Sequence, residues 1–269
     1  MRSRLRLDPR GLVLPGLLVL GLYAAVAAGV FPPGAVPSPA RVARSLIEWV
    51  TGHTFGQLPY YYTGTFPKDA LWSLFRVLVG FVIGASLAVA VGVYVGWSRT
   101  FERLVDPLVQ LLRPIPRTAL LPLAIIVFGL GHAPSLFMVV WGTFLVAYVQ
   151  VVTGVKLVGR DLKRAAYMLG ASDWTVLRRV VIPAALPHIV VGVRVGMAFA
   201  WTLLILAEMI GSDGGFGYVL WRGYEFVRLD LVLLGMAVLG LFGFVSDRLI
   251  LALARRKLDW AQELAESRL

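Results

Sequence analysis

From Leu71 to Trp97 the only charged residue is Arg76. That run constrains the fold more than any other feature, because about 20 apolar residues suffice for a helix to cross about 30 Å of hydrocarbon. Comparable stretches occupy Gly11–Phe31, Ser135–Val155, Ala184–Ile210 and Leu231–Leu253, and a shorter one lies at Ala119–Gly131. A soluble core has no room for so much apolar sequence. Hydrophobic residues make up 58% of the chain and the mean hydropathy is +0.79, far above the soluble norm. Within a bilayer each backbone polar group needs a partner in the protein, which makes runs of this length helices. The expectation is an all-α, polytopic membrane protein with six transmembrane helices.

Charge refines the picture. The net charge of +11 does not point to nucleic acid, because the basic residues sit in short segments between apolar runs and no basic stripe with stacking aromatics occurs. With the N-terminus inside, the cytoplasmic segments Arg2–Arg10, Arg99–Arg117, Lys156–Arg179 and Arg248–Arg268 hold 19 of the 26 basic residues. Positive segments stay on the cytoplasmic side, so both termini are expected there. The absence of cysteine excludes disulfides, thiolate metal sites and thiol catalysis.

Residues 1–67 read as a first span followed by an external interfacial segment. The start MRSRLRLDPR resembles a signal peptide, but its apolar run is span-length and lacks a small-x-small cleavage site, so a retained span is expected. Prolines in FPPGAVPSP interrupt the helix, and Pro39 suits a new start. Ala40–Val50 places Val42, Ser45, Leu46 and Trp49 on one face, the pattern of a short interfacial helix. Thr51–Pro67, with Tyr60–Tyr62, is expected as an external loop.

Residues 68–269 hold the other five spans. The pairs Gly80/Gly84 and Gly92/Gly96 suit close helix contacts in lipid. Ser98–Arg117 reads as a basic turn broken by Pro114 and Pro116, and GSDGGFGYVLWRGYEF as a glycine-rich external loop. That loop is no phosphate cradle. Lys68, Lys156, Lys163 and Lys257 precede Asp, Leu, Arg and Leu, so the Lys-Ser/Thr pair of a P-loop is missing and the chain cannot itself hydrolyse ATP by that route. His53, His132 and His188 are scattered, no catalytic constellation is apparent, and no cofactor or metal site is expected.

The informative segment is GRDLKRAAYMLGASDWTVLRRVVIPAALPHI. Leu162, Ala165, Ala166 and Leu169 recur at helical spacing, and Gly170 suits the end of that helix. Ser172 or Asp173 caps the next one, in which Trp174, Leu177 and Val181 lie three to four apart. Pro183 is expected to stop it where the fifth span begins. Two short helices around a turn, with an apolar face outside the bilayer, call for a partner.

The spacing resembles the EAA motif of binding-protein-dependent ABC importer permeases: Glu-Ala-Ala, three residues, Gly, nine residues, Ile-x-Leu-Pro. Ala165, Ala166, Gly170, Val180, Ile182 and Pro183 occupy its positions, while Arg164 stands where the motif has Glu. From about Pro37 to Trp260 the chain is similar to the nitrate/sulfonate/taurine/bicarbonate branch, through SLFRVLVGFVIG, LRPIPRTALLPLAIIVFGLG and LILAEMIG among other stretches. The resemblance implies nucleotide-binding ATPase subunits, a second permease copy (a homodimer), a soluble substrate-binding protein and a bacterial inner-membrane location. It also implies ATPase docking through Arg164, Ala165, Ala166, Gly170, Ala171, Trp174, Leu177, Ile182 and Pro183. Arg164 leaves the usual polar contact of the motif Glu open.

Three ionisable residues fall in the spans, where charge is costly and marks function by default. Glu208 either serves the outer mouth, structurally or as a gate, or hydrates at the external interface. Arg76 is close enough to the outer end to snorkel. Arg194 lies deeper, either paired with a carboxylate or facing a polar pathway. The expected substrate is a small organic or inorganic anion such as nitrate, a sulfonate or taurine. A vitamin precursor, an aromatic carboxylate, and ATP-independent secondary transport are the alternatives. The last would usually show inverted repeats, and no internal match of that kind is evident.

Overall fold

A computed structural model describes residues 13–30, 36–55 and 60–266. All regular structure among them is helical: α1 Val13–Ala27, α2 Pro39–Thr51, α3 Phe66–Trp97, α4 Arg99–Leu112, α5 Leu120–Phe128, α6 His132–Lys156, α7 Arg160–Met168, α8 Asp173–Val176, α9 Ile182–Gly211, α10 Phe216–Glu225 and α11 Leu229–Glu266. A π turn over Leu177–Val181 joins α8 to α9 without a break. Four stretches are long and apolar enough to cross a bilayer: α3, α6, Asp173–Gly211 and Leu229–Ala254.

The two remaining expected spans take other forms. The first is seen as α1, of 15 residues; Arg2–Arg10 and the ends of Gly11–Phe31 lie outside the described residues. The third is not straight. The nine-residue α5 follows a break after α4, and the two arms are bent by 80°. Pro114 and Pro116 mark the break: neither has an N–H to continue a helix, and although Arg113 keeps helical angles, Pro116 turns away with φ −57° and ψ 119°. What read as a basic turn is helical up to Leu112, where the apolar residues Phe101, Leu104, Leu108 and Leu111 hold one face.

At the centre, α6 packs between α3 and α9, and small residues set the spacing. A Cβ on Gly84 would lie 2.6 Å from the Val140 carbonyl, and one on Gly96 the same distance from Val155 Cβ. These glycines therefore let α3 and α6 approach backbone to backbone, as small residues four apart do in lipid. Near the segment before α3 and the loop between α9 and α10, Trp49, Tyr62, Phe81, Trp201 and Phe216 form one cluster. At the opposite end Val151, Val155, Val176, Leu177, Val181 and Ala185 form another. The second cluster fixes the root of the α7–α8 pair to the bundle.

Two loop expectations shorten. The helix α3 starts at Phe66 rather than Leu71, with Pro67 in its first turn, a position where the missing N–H costs nothing. The glycine-rich segment is loop only up to Gly215; Phe216–Glu225 is helical, with Phe216, Val219 and Gly223 buried. On α2, Ser45 and Trp49 face inward as expected, while Leu46 is 39% exposed and Glu48 takes the inward place.

Candidate functional site

The turn between α7 and α8 is built by local backbone chemistry. Gly170 has φ +79°, a left-handed conformation that favours glycine. Its N–H donates to Tyr167 O at 2.9 Å and that of Ala171 to Ala166 O at 3.1 Å, the paired closing bonds of a helix C-terminus. Ser172 Oγ then accepts the Thr175 N–H at 3.4 Å as the next N-cap. The Tyr167 hydroxyl donates to Asp173 at 2.7 Å and braces the two helices. That same acceptor pushes the Tyr167 phenol above its ordinary pKa.

The residues of this pair divide by direction. Met168 and Leu169 are each 88% exposed at the tip, and Trp174 is 57% exposed. Arg164, Ala165, Gly170 and Pro183 are also exposed, whereas Ala166, Ala171 and Ile182 are half-buried against the bundle. Leu177 and Val181 are buried. The face read from Trp174, Leu177 and Val181 is thus two faces. Trp174 points out, and the other two anchor. Met168 belongs with the outward group, and its place beside Leu169 at a glycine C-terminus was a usable signal. Lys163 lies 5.7 Å from the Trp97 ring; burial, then the adjacent Arg160, lowers its ammonium pKa.

Pro183 does not stop the helix. The Ile182 N–H reaches back to Leu177 O in the π turn, whose wider loop accommodates a residue without a donor. The stretch Asp173–Gly211 is consequently one 39-residue rod, running from the turn at one end to Glu208 near the other.

Glu208 and Arg76 meet in the interior, 0% and 1% exposed, at 2.8 Å. Glu208 also accepts from Ser73 Oγ at 2.8 and 2.9 Å and from the Gly217 N–H at 2.9 Å. Arg76 donates further to Gly214 O at 2.8 Å and to His132 Nδ1 at 2.9 Å. Snorkelling of Arg76 and interfacial hydration of Glu208 are both excluded by this burial. A neighbouring layer extends the network: Asp69 accepts from Trp49 Nε1 at 3.0 Å, Thr65 Oγ1 at 2.6 Å and the Gly215 N–H at 2.8 Å. Thus α2, α3, α6, α9 and the loop before α10 are tied at one point. A buried pair this fully hydrogen-bonded is the form in which charge is tolerated.

A second polar knot lies beside it. Arg228 donates to Asp230 at 2.7 Å and to the Tyr62 hydroxyl at 3.0 Å, Ser45 bonds Asp230, and Tyr62 bonds Glu48. Burial, then the Glu48 acceptor, pushes the Tyr62 phenol well above its ordinary range. Deeper in the bundle Arg194 pairs bidentately with Asp247 of α11, at 2.8 and 2.9 Å. Both partners stay about a third exposed, at 35% and 34%, so pairing does not remove Arg194 from its surroundings. Asp247, Ser73 and Asp69 had not been singled out in the sequence; a charge pattern along one chain does not reveal which helix supplies the partner.

Upright apolar helices, ion pairs held between them and a braced helix pair at one end define a multi-pass membrane transport subunit. The chain belongs to the family described as binding-protein-dependent transport system inner membrane component, which matches residues 80–259, and it is an ABC transporter permease. A probable ABC transporter permease of Brucella abortus (strain 2308) is 39% identical over 74% of this chain and 80% of its own length. The taurine transport system permease protein TauC of Escherichia coli (strain K12) is 35% identical over 74% of each chain. The bicarbonate transport system permease protein CmpB of Synechococcus elongatus (strain ATCC 33912 / PCC 7942 / FACHB-805) is 31% identical over 73% of each. Among solved structures, an inward-facing conformation of the MetNI methionine ABC transporter shares the fold, with a TM-score of 0.59 at 20% identity over 70% of this chain and 95% of that one.

Proposed function

We propose that this chain is the membrane subunit of an ATP-driven importer for a small anion of the taurine, sulfonate or bicarbonate kind, working by alternating access. The observation that carries the reading is the braced α7–α8 pair on a rod continuous with a span. A partner that grips Met168, Leu169 and Trp174 moves α9 directly, because Leu177 and Val181 fix the root of the pair in the bundle. The ATPase sits on separate subunits, two permease copies form the pathway, and a soluble binding protein delivers the substrate. Both termini lie in the cytoplasm, in keeping with the basic segments. The names of the relatives support the substrate class.

Arg164, Ala165, Gly170 and Pro183 lie on the docking surface with Trp174. Ala166, Ala171, Leu177 and Ile182 set its shape from behind. The burial of Arg76 and Glu208 supports a structural latch at the outer mouth instead of a contact with solute. Arg194, still partly exposed beside Asp247, is the stronger candidate for a pathway charge, since a guanidinium suits an anion. Coupling is the test. Gly170→Pro forbids the positive φ, and Trp174→Asp places a charge on the docking face; each is expected to abolish ATP-dependent uptake while the chain still inserts in the membrane. Undiminished uptake in both variants refutes docking at this turn.

A further inference from the structure

The helix α4 has no part in the coupling described above, and it presents three faces. One packs on the bundle: Val109 is 6% exposed with Val105 beside it. The acids of α4 are engaged on α6, Glu102 by Lys156 at 2.7 Å and Asp106 by the Tyr148 hydroxyl at 3.0 Å. A second face carries Phe101, Leu104, Leu108 and Leu111, which are 41, 65, 61 and 71% exposed. The third carries Arg99 and Arg103, one turn apart and exposed. Neither has an ion-pair partner among the described residues. An open cleft of about 430 Å³ is lined by these two arginines with Glu102, Asp106 and Pro107. Lys156 neutralises Glu102, whereas Asp106 keeps its charge beside the neutral Tyr148 hydroxyl, so two arginines against one carboxylate leave the cleft with one net positive charge.

We propose that α4 lies in the plane of one leaflet and that Arg99 and Arg103 bind the phosphate of an anionic phospholipid, whose acyl chains cover the stripe from Phe101 to Leu111. The 80° bend between α4 and the next arm is how an in-plane helix joins an upright one. An apolar face flanked by arginines is the composition that holds a helix at an interface, and a guanidinium pair takes phosphate oxygens in a fork. A soluble phosphate would satisfy the arginines and leave the leucines bare. A second copy related by a two-fold axis would cover the leucines and bring like charges together. Only the choice of leaflet, the cytoplasmic one, rests on the orientation proposed above.

The test uses the full chain purified in detergent and native mass spectrometry of its lipid adducts. Phosphatidylglycerol is expected to remain bound where phosphatidylcholine does not, and inorganic phosphate is expected to compete weakly. At about 1 kcal/mol per basic residue near anionic lipid, each of Arg99→Gln and Arg103→Gln is expected to weaken retention about five-fold. The Arg99→Lys/Arg103→Lys variant should retain most of it, and Arg222→Gln at the far end should change nothing. Equal retention of both lipids, full displacement by phosphate, or indifference to the glutamine variants overturns the site. Because the chain has no cysteine, Leu108→Cys can carry a spin label. Oxygen-accessible, lipid-like collisions are expected, whereas spin–spin broadening from a second copy overturns the proposal. Neither readout depends on transport, so failure here and failure of the importer reading are separable.

Discussion

Arg76 and Glu208 illustrate how much of a buried charge's meaning lies in its partner. Each alone is an intolerable group in a low-dielectric interior; together, with Ser73, Gly214, Gly217 and His132 closing the remaining hydrogen bonds, they hold five segments at one point. Removing one partner strands the other, so Glu208→Ala is expected to cost roughly 3–5 kcal/mol, read as a large fall in unfolding temperature in detergent. The double variant Arg76→Met/Glu208→Leu removes both charges and should recover most of that loss. A double variant no better than Glu208→Ala would show that the carboxylate matters for some other reason. Gly215 makes the same point from the backbone side. Its φ is +115° and a Cβ there would lie 2.5 Å from the Glu208 carboxyl, so Gly215→Ala is expected to loosen the latch, again seen as a lower unfolding temperature.

At the scale of elements, the π turn at Leu177–Val181 joins two jobs in one helix. Replacing Pro183 by alanine permits an ordinary α register, which drops one residue from the turn and rotates the docking end by about 100° relative to the span. Pro183→Ala is therefore expected to lower the ratio of solute imported to ATP hydrolysed, and also the unfolding temperature, because the buried Leu177 and Val181 turn with it; an unaltered ratio would mean that the phase of the docking face is unimportant. The helices themselves were largely legible in the sequence. Apolar length announced α3, α6, α9 and α11, and Gly170 with Ser172 announced the turn between α7 and α8. What escaped was context. Pro183 reads as a stop because a π turn leaves no mark in composition, and α4 reads as a loop because its charges mask the Phe101–Leu104–Leu108–Leu111 spacing. Asp247 could not be matched to Arg194, 53 positions away, because nothing along the chain says that α9 and α11 touch. The division of Trp174 from Leu177 depends likewise on which side meets the bundle.

For the molecule as a whole, the proposed function makes the arrangement a lever: the α7–α8 pair, proposed to dock, at one end, a close-packed trio of α3, α6 and α9, and the Arg76–Glu208 network, proposed as a latch, at the other end. Its orientation is open to direct measurement, since the chain has no cysteine. A single cysteine at Arg113 should react with an impermeant maleimide only after the membrane is opened, and one at Asp213 should react in intact spheroplasts; the reverse pattern would invert the lever. The proposed assembly also accounts for so apolar an exposed surface, with Leu104, Ile126, Met168, Leu169 and Leu253 all 65% exposed or more: lipid, with the partner subunits and second copy proposed above, would cover what a soluble protein buries. The central claim is that this chain moves solute only when a separate ATPase drives it. The most direct measurement is uptake of labelled taurine, an alkanesulfonate and bicarbonate into liposomes holding the chain, with its ATPase subunits and binding protein added or left out. Uptake of one of these anions that requires ATP and both partners, and that vanishes with Gly170→Pro, is the predicted result. Uptake by the chain alone, without ATP, would contradict it.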